Sequence, residues 1–357
     1  MPRRAARKPT ALNTIQSVTA GLLETPLHNP FVTSQGATSL ARAVAVKMQL
    51  SDGRTAQGES VPVQYVTGET VDDVLETVRR VGPELIGLDV RCYRAALDVI
   101  ARLAPNSPSA RCGLEMAALD AWTQTAAIPL QELWGGAREA FETDVTIPIV
   151  PNASELTLLA WELGIRVFKI KVGDANIEDD HARVLAVRRA APEAKLRIDA
   201  NQAFTPEGAV AFAERLVAEG AQIQLLEQPV KKEDIDGMHW VAERSPVPVF
   251  ADESCRTPQD ALRLVTSTAV QGLNLKINKC GIAGVLDIIP IARAAGRRLM
   301  LGCMLETRRS IAVSLALACG TGAFEFVDLD SHLLLNEPGE NPCFHQHGAL
   351  MTFAKPA

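Results

Sequence analysis

Between Val167 and Lys279 the chain sets charged side chains at a nearly constant interval. They are Lys169 and Lys171 in FKIKVG, Asp199 and Asn201 in LRIDANQ, Glu227 in QLLEQPV, Asp252 and Glu253 in VFADES, and Lys276 and Lys279 in LNLKINKCG. The steps from 171 to 199, 199 to 227, 227 to 252 and 252 to 276 are 28, 28, 25 and 24 residues. That interval is the length of one strand, one helix and two short loops. Each charge closes a short apolar run, as Ile223-Gln224-Leu225-Leu226 precedes Glu227. Charged groups at the C-terminal ends of parallel strands are where a (β/α)8 barrel carries its chemistry.

Asp199, Glu227 and Asp252 would converge at one barrel mouth. Three confined carboxylates repel one another unless a cation joins them. Hard oxygen ligands with room for water and substrate suit Mg2+, with Mn2+ as a substitute. The ordinary alternative is three solvated acids at loop starts, and the regular spacing favours the metal. Lys169 and Lys171 are two apart on a strand and share a face. Two adjacent ammonium groups, partly buried, are expected to lower one another's pKa, so that one can take a proton near neutral pH. Lys276 would face them across the barrel. A pair of surface lysines is the bland reading, but Ile170, Val172, Leu275 and Ile277 bracket these lysines with apolar residues. Together the groups point to removal of a proton α to a carboxylate through a metal-stabilised enolate. One lysine takes the proton, the other returns it from the opposite face, and the product is the epimer.

Such a mouth requires eight strands. They are expected near 143–149, 166–171, 195–199, 222–227, 247–252, 272–276, 298–303 and 324–328, with helices between them. Thr205-Pro206-Glu207 and Thr257-Pro258-Gln259 read as helix starts with proline at the first helical position. Before the barrel, residues 43–50 alternate as a strand and Asp52-Gly53 reads as a hairpin turn. Pro26 to Ser39 and Ser60 to Gly68 read as loops, Thr70 caps a helix to Val81, and Leu114 to Gln124 repeats at helical spacing. The expected fold is α/β, a (β/α)8-type barrel with an N-terminal α+β capping domain. The expected division is a disordered basic tail over 1–12, the cap over 13–130, the barrel over 131–332, and a segment over 333–357 that packs back on the cap.

With 357 residues, 47% of them hydrophobic, the chain can bury a large core. A net charge of −6 gives no reason to expect nucleic acid as a partner. The basic run Arg3, Arg4, Arg7 and Lys8 lacks the apolar region that an export signal needs, because Pro9, Thr10, Asn13 and Gln16 interrupt it. Seven cysteines with no CxxC pair fit reduced thiols in a cytoplasmic protein. The longest apolar stretch, 311–324, is too short for a membrane span.

The series KIK, DAN, EQP, ADES and LKINKCGI resembles the enolase superfamily in its muconate-lactonizing branch, as do GES at 58–60, GLEMAALDAW at 113–122 and PLQELWGG at 129–136. A lysine base with Mg2+ is an established pattern of that superfamily and is not our inference. FVDLD at 326–330, with GCMLET at 302–307 before it, is similar to the dipeptide epimerases, including those acting on L-Ala-D/L-Glu. The resemblance implies metal ligands at Asp199, Glu227 and Asp252, catalytic lysines at Lys171 and Lys276, and Lys169 in support. It implies that Asp328 and Asp330 hold the α-ammonium of a dipeptide, for which two carboxylates supply charge and acceptors. Thr146 is expected either to contact substrate, as the resemblance implies, or to serve simply as a β-branched strand residue. Asn201, Glu253, Glu306 and Ser331 are expected to support the site, Cys303 to form pocket wall, and His332 either to line the pocket for the N-terminal side chain or to stand as a solvated loop histidine. His345 and His347 lack a third ligand and are assigned no metal.

The implied substrates are L,L- and L,D-dipeptides such as those released from peptidoglycan, and a homo-oligomer is expected. In the Ala-Glu epimerases an arginine follows the Pro-Phe pair of a cap loop. Here Pro30 to Ser39 carries no basic residue, so a neutral or apolar C-terminal residue is expected. An N-acyl-amino-acid racemase, an o-succinylbenzoate synthase or a muconate-type cycloisomerase would share the fold, but none has an ammonium for the two aspartates. A barrel that only binds is the alternative outside catalysis.

Overall fold

The computed structural model describes residues 13–34, 36–337 and 344–353, so the basic run at 3–8 and Cys343 lie outside the described residues. Three antiparallel strands open the chain: β1 (Ile15–Thr33), β2 (Gly36–Leu50) and β3 (Thr55–Ser60). The loop expected over Pro26–Ser39 is instead the far end of the β1–β2 hairpin. Phe31, Val32 and Thr33 pair with Thr38, Ala37 and Gly36, and the register slips between Pro26 and Phe31. Prolines that cannot donate to a ladder are absorbed at that slip, and the β-branched residues beyond them resume pairing. Asp52-Gly53 does make the β2–β3 turn, with Gly53 at φ 91°.

Two helices cover this sheet. Val71–Leu85 starts at Thr70, whose side chain and that of Asp73 form a capping box. Pro108–Ala126 lies so close to β3 that a Cβ on Gly58 would overlap the Gly113 carbonyl oxygen. Glycine at both positions permits the approach, which seats the GES segment at the end of β3 against the barrel.

The barrel follows a short strand, β4 (Ala140–Glu142). Its strands are β5 (Val145–Ile147), β6 (Val167–Lys171), β7 (Lys195–Asp199), β8 (Ile223–Glu227), β9 (Val249–Ala251), β10 (Gly272–Leu275), β11 (Arg298–Gly302) and β12 (Phe326–Asp328). They are hydrogen-bonded in that order, all parallel, and a parallel bridge from Thr143 to Val327 joins the first end to the last. The helix starts expected at Thr205 and Thr257 are present, their side chains accepting from the amides of Gly208 and Asp260. Leu225, Phe250, Met300 and Phe326 pack together as an apolar cluster. Inward residues alternate along each strand, so the charges at the strand ends stand above this plug.

The last strands, β13 (Phe344–His347) and β14 (Leu350–Phe353), form a separate sheet with β4. Leu335 bridges Leu27, and Leu334 O accepts from the amide of His28 at 2.9 Å, which ties the chain after β12 to the hairpin. No helix among the described residues is long and apolar enough to cross a membrane.

Candidate active site

Strand alternation brings Lys169 and Lys171 to the inner face of β6, and the register sets Lys171 beside Asp199 and Asp199 beside Glu227. Lys171 Nζ lies 2.5 Å from Asp199 Oδ2. Four strands on, half-way around the barrel, Lys276 Nζ lies 2.7 Å from Asp252 Oδ2. Lys169 Nζ sits between two anionic groups, 3.0 Å from Asp199 Oδ2 and 3.1 Å from Glu227 Oε2 on one side, 2.7 Å from Asp328 Oδ2 on the other. All seven side chains are buried.

Mutual repulsion of Lys169 and Lys171, expected to lower their pKa values, is not what governs Lys169. Burial alone would lower it, but Asp199, Asp328 and Glu227 outweigh burial and hold it well above the usual lysine range. Lys276 is likewise raised, against burial, chiefly by Asp252. Among the acids, burial opposes ionisation, yet Lys169 and Lys171 hold Asp199 down to about 2. Glu227 is pushed up to about 8 by burial and by Asp199. Burial and the Asp199 charge thus oppose ionisation of Glu227 even with Lys169 beside it.

On the far side, Asp330 Oδ2 accepts from the Thr146 amide at 2.6 Å. Asp144, Asp328 and Asp330 bring one oxygen each within 4.8 Å of one another. Arg197 Nη1 holds Asp144 Oδ2 at 2.7 Å and also donates to Val327 O. Burial and the Asp328 charge push Asp330 up to about 6. A cation placed here would be welcome. The Arg197 guanidinium already holds Asp144, and the Lys169 ammonium already holds Asp328.

A cavity of about 360 Å3 opens over these groups. Its floor includes Thr146, Lys169, Lys171, Lys276, Asp328 and Asp330, and its walls include Phe31 of the hairpin, Tyr65, Cys303 and Met304.

The sequence matches the mandelate racemase / muconate lactonizing enzyme N-terminal domain over residues 16–135 and an enolase C-terminal domain-like region over 153–356. An aromatic dipeptide epimerase of Herpetosiphon aurantiacus is 38% identical over 345 residues, 96% of each chain. An L-Ala-D/L-Glu epimerase of Thermotoga maritima is 39% identical, covering 95% of this chain and 99% of that protein. The crystal structure of an Enterococcus faecalis dipeptide epimerase with Mg and L-Leu-L-Tyr superposes with a TM-score of 0.91 at 33% identity, over 96% of this chain and 98% of that one. The chain belongs to the mandelate racemase and muconate lactonizing enzyme family of the enolase superfamily.

Asp199, Glu227 and Asp252 stand further apart than Asp144, Asp328 and Asp330, the one set of three among the described residues whose ligand oxygens lie within 4.8 Å of one another, but their donors suit a divalent cation. Asp199, Glu227 and Asp252 offer only oxygen, the hard donor that Mg2+ prefers. Glu227 Oε2 is buried and has no hydrogen-bond donor; the Lys169 ammonium meets it as an ion pair. Glu227 Oε1 is fixed by Asn274 Nδ2 at 2.7 Å. Gly302, on the next strand, makes room for that arrangement. A Cβ there would lie 2.9 Å from Asn274 Oδ1 and 3.0 Å from Lys276 Cε. Gly302→Ala is therefore expected to lower kcat at least about tenfold by displacing Asn274 and Lys276, with melting little changed. A wild-type kcat in that variant would show that the two side chains have slack.

The remaining expected residues divide. Asn201, Glu253, Cys303 and Ser331 line the cavity. Glu253 Oε2 is buried without a hydrogen-bond partner, and burial pushes this carboxyl up to about 7. Burial raises the Cys303 thiol well above its usual range, which suits wall and not nucleophile. Ser331 Oγ bonds Glu306 O at 2.8 Å. Glu306 does not reach the cavity; it accepts from the Met304 amide and from Ser310 Oγ. His332 does not line the cavity either. It stands edge-on to Phe344 with Nε2 2.6 Å from Gln346 Oε1, so it seats the C-terminal hairpin.

Three residues were not foreseen. Asp144 lies two positions before Thr146, and its sequence signal was simply an acid beside a strand. Glu59, in GES, accepts from the amide and hydroxyl of Thr307 and fastens cap to barrel. Arg42 lines the cavity rim from β2, paired with Glu24 at 2.9 Å. The hairpin tip carries no basic residue among its described positions, but the strand facing β1 supplies one at its base.

Proposed function

We propose that this enzyme is a Mg2+-dependent dipeptide epimerase that inverts the α-carbon of the C-terminal residue by proton transfer between Lys171 and Lys276. The observation that carries the reading is the placing of those two lysines half-way around the barrel from each other, each against a member of one carboxylate group. Asp199, Glu227 and Asp252 would hold Mg2+, which supplies the positive charge that makes a proton α to a carboxylate acidic enough to remove. Lys171 takes that proton from one face of Cα and Lys276 returns one to the other, or the reverse. Lys169 spans the carboxylate end and the ammonium end of the site. Asp328 and Asp330 bind the α-ammonium of the N-terminal residue, a buried cation meeting buried acids.

Relatives named for aromatic, hydrophobic and Ala-Glu dipeptides all fit this chemistry. The arginine-free hairpin tip favours a neutral or apolar C-terminal residue. A dipeptide library incubated with enzyme and Mg2+ in D2O, read by mass spectrometry, tests the reading. One-dalton gains in a subset of dipeptides are expected. Label in N-acyl amino acids and in no dipeptide would replace it with a racemase.

Asp330→Asn is expected to lower kcat/KM on dipeptides about 10- to 100-fold, from a charged hydrogen bond worth about 1.5–3 kcal/mol. Residual exchange on N-acyl amino acids should not fall with it. Equal loss on both would undo the ammonium-binding role. A cytoplasmic location belongs to the same reading, supported by the free thiols of the described cysteines. So does a homo-oligomer, supported by Leu158, Leu159 and Leu163, exposed together at one helix end, and testable by light scattering.

A further inference from the structure

Lys279 takes no part in the chemistry above and is 0% exposed. Its ammonium donates to Asp252 Oδ1 at 2.6 Å, to Asp252 O at 2.5 Å and to Asn274 O at 2.7 Å. An ammonium has three N–H groups, so all are used and none remains for substrate. Two of the acceptors are main-chain carbonyls at the ends of β9 and β10. Those strands pair at Gly272 with Phe250 and Leu273 with Ala251, with the Gln271 amide donating to Val249 O just before them. Beyond that point the strands part, and Lys279 bridges the gap.

It can do so because a single helical turn, Ile277–Cys280, follows Lys276 and carries Lys279 back beneath the strand ends. Asp252 is thereby held between two ammonium groups. Oδ1 meets Lys279, which does not line the cavity, and Oδ2 meets Lys276, which does. The Asn274 carbonyl belongs to Lys279 while its side chain belongs to Glu227. One buried charge thus touches the residues that set two carboxylates and one lysine.

We propose that Lys279 is a positioning residue that fixes the Asp252 carboxylate and the gap between β9 and β10, and so sets where a divalent cation and Lys276 stand relative to each other. The part concerning Lys276 rests on the epimerase reading; the part concerning the cation does not.

The test is Lys279→Met, with Mn2+ affinity measured by electron paramagnetic resonance and α-proton exchange in D2O measured from each epimer separately. Mn2+ should bind about 10- to 100-fold more weakly, the usual loss when a ligand's hydrogen-bond partner is removed. Exchange should fall further for the epimer that Lys276→Ala no longer exchanges than for the one served by Lys171. Wild-type Mn2+ affinity, or equal loss from both epimers, overturns the proposal. If Lys279→Met does not accumulate as folded protein, Lys279→Arg decides. It keeps the charge but displaces the donors, and wild-type affinity with balanced exchange would again refute a positioning role. Should the wild-type enzyme exchange no dipeptide proton, the functional reading fails, and the Mn2+ measurement still judges Lys279.

Discussion

Lys276→Ala is expected to cut epimerization about 10²- to 10⁴-fold, the range that a positioned acid or base contributes, and Lys171→Ala to do the same. The two losses should differ in kind. With Lys276 gone, Lys171 still faces one side of Cα, so one epimer should keep exchanging its α-proton with solvent while the other stops. With Lys171 gone the pattern should reverse. Both lysines lie in direct contact with the carboxylate group, 2.5 Å and 2.7 Å from their partners. Each removal therefore also takes a positive charge from a buried acid, and some loss of metal-free stability should accompany it. Near-normal turnover in either variant would mean that one lysine does both transfers or that the base lies elsewhere. Loss of both exchanges in both variants would mean that the lysines act as a unit through charge and not as separate bases.

Removal of divalent metal should have an effect of similar size. Chelated enzyme is expected to lose turnover below detection and to regain it with Mg2+ or Mn2+. The fold should persist, because the apolar core runs through the barrel and its helices and does not depend on the mouth. Burial and the Asp199 charge oppose ionisation of Glu227, and a cation bound there would relieve that opposition. Saturating Mg2+ should accordingly raise the melting temperature, by about 2.7 kcal/mol of stabilisation at one hundred times Kd. Turnover that survives exhaustive chelation would be incompatible with the assignment of Asp199, Glu227 and Asp252.

How much of this was legible before folding depends on distance along the chain. The eight strands, the charges that close them and the shared face of Lys169 and Lys171 follow from local periodicity, and each strand was found within a few residues of its expected place. The β1–β2 hairpin was misread because prolines and polar residues signal a turn locally. Pairing of Phe31–Thr33 with residues 36–38 overrides that signal. His332 was misplaced because its neighbours in space, Phe344 and Gln346, come from a strand past the end of the barrel.

Residue order alone was enough for the fold and the family, since strand length, alternation and motif spacing are properties of short segments, but not for Asp144, Glu59 or Arg42. Which oxygen meets which ammonium was settled only by closure of the barrel. Thr146 reaches Asp330 across 184 positions, Lys169 reaches Asp328 across 159, and Asp144 meets Arg197 across 53. No local rule encodes such pairs. They arise because a closed sheet of eight strands sets its first strand beside its last, and because a buried charge must find a partner among whatever closure brings near.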